Sequence, residues 1–275
     1  MRRSASGASA SSAKVSDRRQ QMTSAARERS QVRTPILLIS AAAWILLVIE
    51  PSGLMLPDHC PVPMLKEAVP SVSLNILLAL NPYVSLMAGW SLMLAAMMVP
   101  LLTAPVRHVR DRSFAQRRVF AIALFAIGYA TIWMTAGVML LALAMLVKLF
   151  DSATALPLTL LIALVWQFSP FKQRCLNRCH AQPELAAFGR AANDDAMRFG
   201  LIHGFWCVGS CWALMLLPLF LSREHVAAMA TVALWLLAER LDAPIPPRWR
   251  WRGPSKAVSL AVAQARMHLQ RSRKG

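Results

Sequence analysis

Acidic side chains are scarce: 13 Asp and Glu stand against 30 Lys and Arg in 275 residues, and they are almost absent from the long apolar runs. That scarcity leaves those runs without the several oxygen ligands that a hard-cation site needs, and argues against a carboxylate proton relay through them. Charged residues of both signs make up only 16% of the chain, too few for an ordinary soluble domain. Cysteine is limited to five residues with no C-x2-C pair, so the compact geometry that tunes redox thiols is missing. No quinone or haem motif and no nucleophile–base pair typical of hydrolysis is evident.

What the chain has in abundance is apolar sequence. Hydrophobic residues reach 56% and the mean hydropathy is +0.45. Residues 35–49, 83–104, 119–147, 155–169, 199–221 and 226–238 are almost free of charge, and most approach the roughly 20 residues needed to span hydrocarbon. The expected fold is therefore all-α, a polytopic membrane bundle of about six transmembrane helices. Three regions follow: a disordered basic arm over 1–34, a transmembrane domain over 35–240 and a basic tail over 241–275.

A net charge of +17 would suggest nucleic acid in a soluble protein, but the basic residues alternate with the spans. Eight lie in 1–34, five in 105–118, five in 170–198 and nine after 239, while the remaining loops hold only Lys66, Lys148 and Arg223. This is the positive-inside asymmetry, with both termini cytoplasmic in a bacterial inner membrane. It makes lipid the partner and nucleic acid none. The first span acts as its own signal-anchor, since no cleavable signal peptide precedes it. Residues 72–80 are apolar but too short to cross and are expected in the interface. From Ser255 to Arg273 an apolar strip faces basic residues, which fits a helix lying on the membrane and equally a solvated basic tail.

Within the fifth run, His203, Cys207, Cys211 and Met215 follow at four-residue steps. On a helix they form one slowly winding stripe about 18 Å long. Imidazole, thiolate and thioether select soft or borderline ions. No single ion can use the whole stripe, because metal–donor bonds are only roughly 2.0 to 2.3 Å. The same segment carries Gly200 and Gly204, so close helix packing is the competing reading. Cys175 and Cys179, again four apart, stand at the cytosolic edge, where paired thiols more often bind metal or do redox chemistry than form structural disulfides. They could join His203 and Cys207 if their segment folds back. In the second run, Met87, Trp90, Met93, Met97 and Leu101 share one face, a pattern that is more often packing than a ligand set. By depth, Met93 and Met97 lie level with Cys211 and Cys207. Two partial sites are expected: His203 and Cys207 with the cytosolic Cys pair, and Cys211 and Met215 with the Met-rich span. The loop residues Met55, Asp58, His59, Cys60 and Met64 are further capturing groups or an incidental cluster.

The combination Gln167-x-Ser169-Pro170-x-Lys172-x2-Cys175-Leu176-x2-Cys179 with Gly200-Leu201-x-His203-Gly204-x2-Cys207-Val208-Gly209-x-Cys211-Trp212-x-Leu214-Met215 resembles a bacterial family described as predicted metal-binding integral membrane proteins, a domain of unknown function. Trp90-x2-Met93-x3-Met97-Met98-x-Pro100, Gly128-Tyr129-x3-Trp133 and Glu239 look like the same pattern, which departs at Ser210 and at 223–226. The resemblance implies metal binding without a mechanism. The expected cargo is a transition metal ion, Cu(I) first and Zn(II) second, for transfer, storage or transport, with a metal chaperone or small metalloprotein as partner. A membrane thiol–disulfide oxidoreductase and a non-metal assembly partner are the alternatives.

Overall fold

The computed structural model describes residues 31–49, 83–150, 152–221, 224–251, 253 and 255–272. Among these all regular structure is helical and no strand occurs. Helix α1 is Gln31–Ile49; it takes in Gln31, Val32 and Arg33 ahead of the apolar run. Then come α2 (Tyr83–Met98), a 3-10 turn (Val99–Leu102), α3 (Thr103–Arg112), α4 (Arg118–Phe150), α5 (Ser152–Phe168), α6 (Pro170–Arg178), α7 (Gly189–Phe220), α8 (His225–Leu241) and α9 (Ser255–Ser272). Residues 1–30 of the arm, residues 72–80 and the Met55, Asp58, His59, Cys60 and Met64 group lie outside the described residues.

Four helical stretches are long and apolar enough to cross a membrane: Gln31–Ile49, Leu86–Arg112, Ala115–Val147 and Gly189–Phe220. The pair Thr154–Phe168 and Pro170–Arg178, bent by 66°, adds a fifth if it is one broken span. Helix α8, at 17 residues, is the remaining apolar helix. Large apolar side chains such as Leu38, Ile45, Phe120, Leu143, Leu161 and Phe205 point outward. Helices apolar on every face suit lipid on one side and packing on the other.

Two basic segments read as loops prove to be helix. The first is α3, reached through the 3-10 turn at Pro100. Proline has no N–H to give the carbonyl four residues back, and the carbonyl of Ala96 is instead satisfied from α1, by Ser40 Oγ at 2.7 Å and Trp44 Nε1 at 3.1 Å. The Pro100 break is thus the place where α1 docks. The second is α6, whose N-cap Ser169 accepts from Phe171 N at 3.1 Å with Pro170 in the first turn, the favoured order for starting a helix. Gln173 and Asn177 then bind the backbone after α8, at Arg250 O (2.8 Å) and Ile245 O (2.7 Å), fixing the end of α8 beside α6.

Helix α7 is the centre of the bundle, and α4 is its most extensive neighbour. It starts ten residues before its apolar run, at Gly189, whose φ of 78° only glycine adopts cheaply. The polar first turns are tied down by Arg117 to Asn193 and by Asp195 to the Ala186 amide. The buried residues of α7 include Gly200, His203, Gly204, Cys207, Cys211 and Met215. The expected ligand stripe is therefore the stripe that faces the core. A Cβ at Gly200 would collide with the Phe125 carbonyl, and one at Gly128 would lie 2.6 Å from the Met197 carbonyl. The close-packing role of the small residues is real and coexists with the donors.

Candidate metal-handling site

Cys207 sits near the middle of α7, on the face turned to α4 and α8. Its sulfur receives a hydrogen bond from Arg240 Nη2 at 3.2 Å, and Tyr129 Oη lies 3.4 Å away. The buried Trp133 Nε1, without a full hydrogen bond of its own, is also within electrostatic reach. One turn on, Cys211 Sγ lies 3.0 Å from the Cys207 carbonyl, and its thiol is close to the Cys207 sulfur as well. Both cysteines are 1% exposed. Four groups able to donate, Arg240, Tyr129, Trp133 and Cys211, thus face the Cys207 sulfur inside an apolar bundle.

Arg240 is the last basic residue of α8 and reaches back between helices. Its electrostatic partners are Cys179, Cys207, Tyr129 and Cys211, and it approaches Cys179 closely enough to bond that thiol too. The fold therefore separates the second cysteine pair. Cys179, at the C-cap of α6, joins Cys207 through the guanidinium. Cys175 turns to the other side of α7, where its sulfur would be 2.7 Å from a Cβ at Gly209. All four described cysteines are free.

His203 lies one turn before Cys207, 3% exposed and ringed by Phe125, Tyr129 and Phe199 at centroid distances of 5.7 to 6.1 Å. Its Nδ1 is buried without a hydrogen-bond partner, an unusual state that a ligand would relieve. It lines two cavities. The larger, about 300 Å3, is bordered by Arg178, Glu184, Asp195 and Arg198. The smaller, about 120 Å3, is lined by Cys179, His180, Gln182 and Arg240 together with Leu101 and Pro105. The same imidazole thus borders a polar cavity and a second one that holds a thiol and a guanidinium.

A neighbouring polar cluster supports this site. Glu239 Oε1 accepts from Lys172, Gln167 and, at 2.8 Å, Trp235. Lys172 and Glu239 are 3% and 2% exposed. In low dielectric a carboxylate must be paired, and this pairing joins the α5–α6 bend to the end of α8. It holds the turn from which Arg240 extends.

Residues 87–264 match the model of a family described as copper chaperone. The chain belongs to this PpoB2 copper chaperone family. No curated protein and no solved structure matches it.

For a copper chaperone, the donors gathered here suit the cargo, since thiolate, imidazole and thioether favour Cu(I). Met93, Met97 and Met215 are fully buried and belong to one apolar core with Cys207 and Cys211. The main neighbours of α2, which carries Met93 and Met97, are nevertheless α4 and α8 rather than α7. Among the described residues no three His, Cys, Asp or Glu converge on one point, so the set of Cys175, Cys179, His203 and Cys207 is not assembled here. Sequence spacing missed Arg240 and Tyr129, although Tyr129 belongs to the Gly128-Tyr129-x3-Trp133 motif of the resemblance. For Arg240 the available signal was a lone cation in the last turn of an apolar helix.

Proposed function

We propose that this copper chaperone works inside the bacterial inner membrane, taking Cu(I) from the cytosolic side and carrying it into the bundle. The supporting observation is the Cys207 cluster: a buried sulfur facing Arg240 and Tyr129, with Cys211 adjacent and Cys179 on the same guanidinium beside a cavity. Cys179 and His203 form the exchange point with a soluble metal chaperone or small metalloprotein. Cys207 and Cys211 hold the ion. Met215, Met97 and Met93 complete its coordination or receive it next, and Cys175 flanks the entrance.

Protein purified anaerobically in detergent and loaded with Cu(I) is expected to retain it against a competing chelator. The combined Cys207→Ser and Cys211→Ser change is expected to weaken retention by roughly 100-fold, because both thiolates are removed while the fold is kept. Unchanged retention eliminates the pair. Failure to bind copper together with a reversible two-electron titration of the thiols would instead support the oxidoreductase reading.

The proposed topology has six crossings, with α5–α6 as a broken span and α8 as the sixth, and both termini cytoplasmic. Reporter fusions test it. Green fluorescent protein after residue 275 and after residue 185 should fluoresce, whereas alkaline phosphatase should be active when fused after 150 or 223. An active phosphatase at 185 contradicts it.

A further inference from the structure

A bound ion held by two thiolates inside a membrane leaves a charge that depends on the metal. With Cu(I) the pair carries −1; with Zn(II) it carries 0. The cation beside the pair is Arg240, 3.2 Å from Cys207, and its electrostatic partners are Cys179, Cys207, Tyr129 and Cys211. Glu239, its neighbour in sequence, is committed to Lys172. Guanidinium keeps its positive charge at all physiological pH.

We infer that Arg240 makes the site selective for a monovalent soft ion: beside Cys207 and Cys211 it balances a Cu(I) bis-thiolate and opposes any divalent ion on the same pair. With Cu(I) the total charge is zero. With Zn(II) one positive charge is left without a counter-charge among apolar helices, which is unfavourable in low dielectric. Geometry acts in the same direction. Zn(II) seeks four ligands and Cu(I) accepts fewer, and the guanidinium bonded to Cys207 also interacts with Cys179, the thiol a third ligand position would draw on. This inference rests on the Cys207–Cys211 reading above and adds the residue that sets metal choice.

Ag(I) and Cd(II) are both soft and differ by one charge, which makes them suitable probes alongside Cu(I) and Zn(II). The full-length protein in detergent, equilibrated with each ion against a thiol chelator and assayed by elemental analysis, is expected to prefer Ag(I) to Cd(II) and Cu(I) to Zn(II). Arg240→Gln should move both ratios by roughly ten- to hundredfold toward the divalent ion. Arg240→Lys, which keeps the charge, should retain most of the Ag(I)/Cd(II) preference. A merely structural role would lower all four affinities together and leave the ratios unmoved, and that result overturns the inference. If Arg240→Gln does not fold, the wild-type protein still decides: Cd(II) bound as tightly as Ag(I) overturns it. Wild type that binds no Cu(I) removes the underlying reading and this inference with it; Cu(I) binding with unshifted ratios removes only the inference.

Discussion

Glu239→Ala is expected to be among the most destabilising substitutions in the protein, lowering the unfolding free energy by roughly 3 to 5 kcal/mol. The carboxylate accepts from Lys172, Gln167 and Trp235 at once. Removing it takes the carboxylate away from an ammonium and two N–H donors at a site only 2–3% exposed, and breaking a buried ion pair costs far more than the pair itself contributes. The decisive control is the double change Lys172→Met with Glu239→Met, which removes both charges and should recover more than half of the loss. The midpoint of unfolding in mixed detergent micelles reads both values. Equal stability of Glu239→Ala and wild type would mean that the pair does not hold the bend. Because Glu239 precedes Arg240, the single variant should also retain copper less well, and the double variant should regain part of that retention.

This coupling explains how far the sequence could be read. Apolar runs translate directly into helices, because a backbone in hydrocarbon must satisfy its own hydrogen bonds. The stripe of His203, Cys207, Cys211 and Met215 was visible because helical spacing places a local pattern on one face, and that face is buried. The same holds for Trp90, Met93 and Met97, each fully buried. Helix ends were less legible. Residues 189–198 and 105–112 are polar or basic and read as loop, yet they continue helices whose polar turns are tied by contacts such as Arg117 with Asn193. Least legible were the partners that complete the site. Tyr129 and Arg240 meet Cys207 across 78 and 33 residues of chain, and no spacing rule joins residues so far apart. Composition misled in one respect as well: a cation following an apolar helix usually marks the interface, and only the tertiary fold turns it inward. The same limit applies to Cys175 and Cys179, which spacing presents as a pair and the tertiary fold places in different surroundings.

The contact between α4 and α7 yields the second large expectation, with a sign that propensity alone gets wrong. Alanine is favoured over glycine in a helix by roughly 1 kcal/mol, so Gly200→Ala in an isolated helix would stabilise. Here its Cβ would collide with the Phe125 carbonyl, a backbone atom of α4 that cannot rotate away. The helices would have to separate, and overpacking of this kind should cost roughly 2 to 4 kcal/mol. Gly209→Ala is the matched comparison. Its Cβ would meet Cys175 Sγ at 2.7 Å, the end of a side chain that can change rotamer, so that variant should stay within about 1 kcal/mol of wild type. Unfolding in mixed micelles measures the difference, and equal effects would show that the backbone contact does not set the helix spacing. The consequence extends to the metal site because Tyr129 and Phe125 lie on consecutive turns of α4. Moving α4 outward carries Tyr129 away from Cys207, so Gly200→Ala should lose copper retention along with stability, whereas Gly209→Ala should keep both.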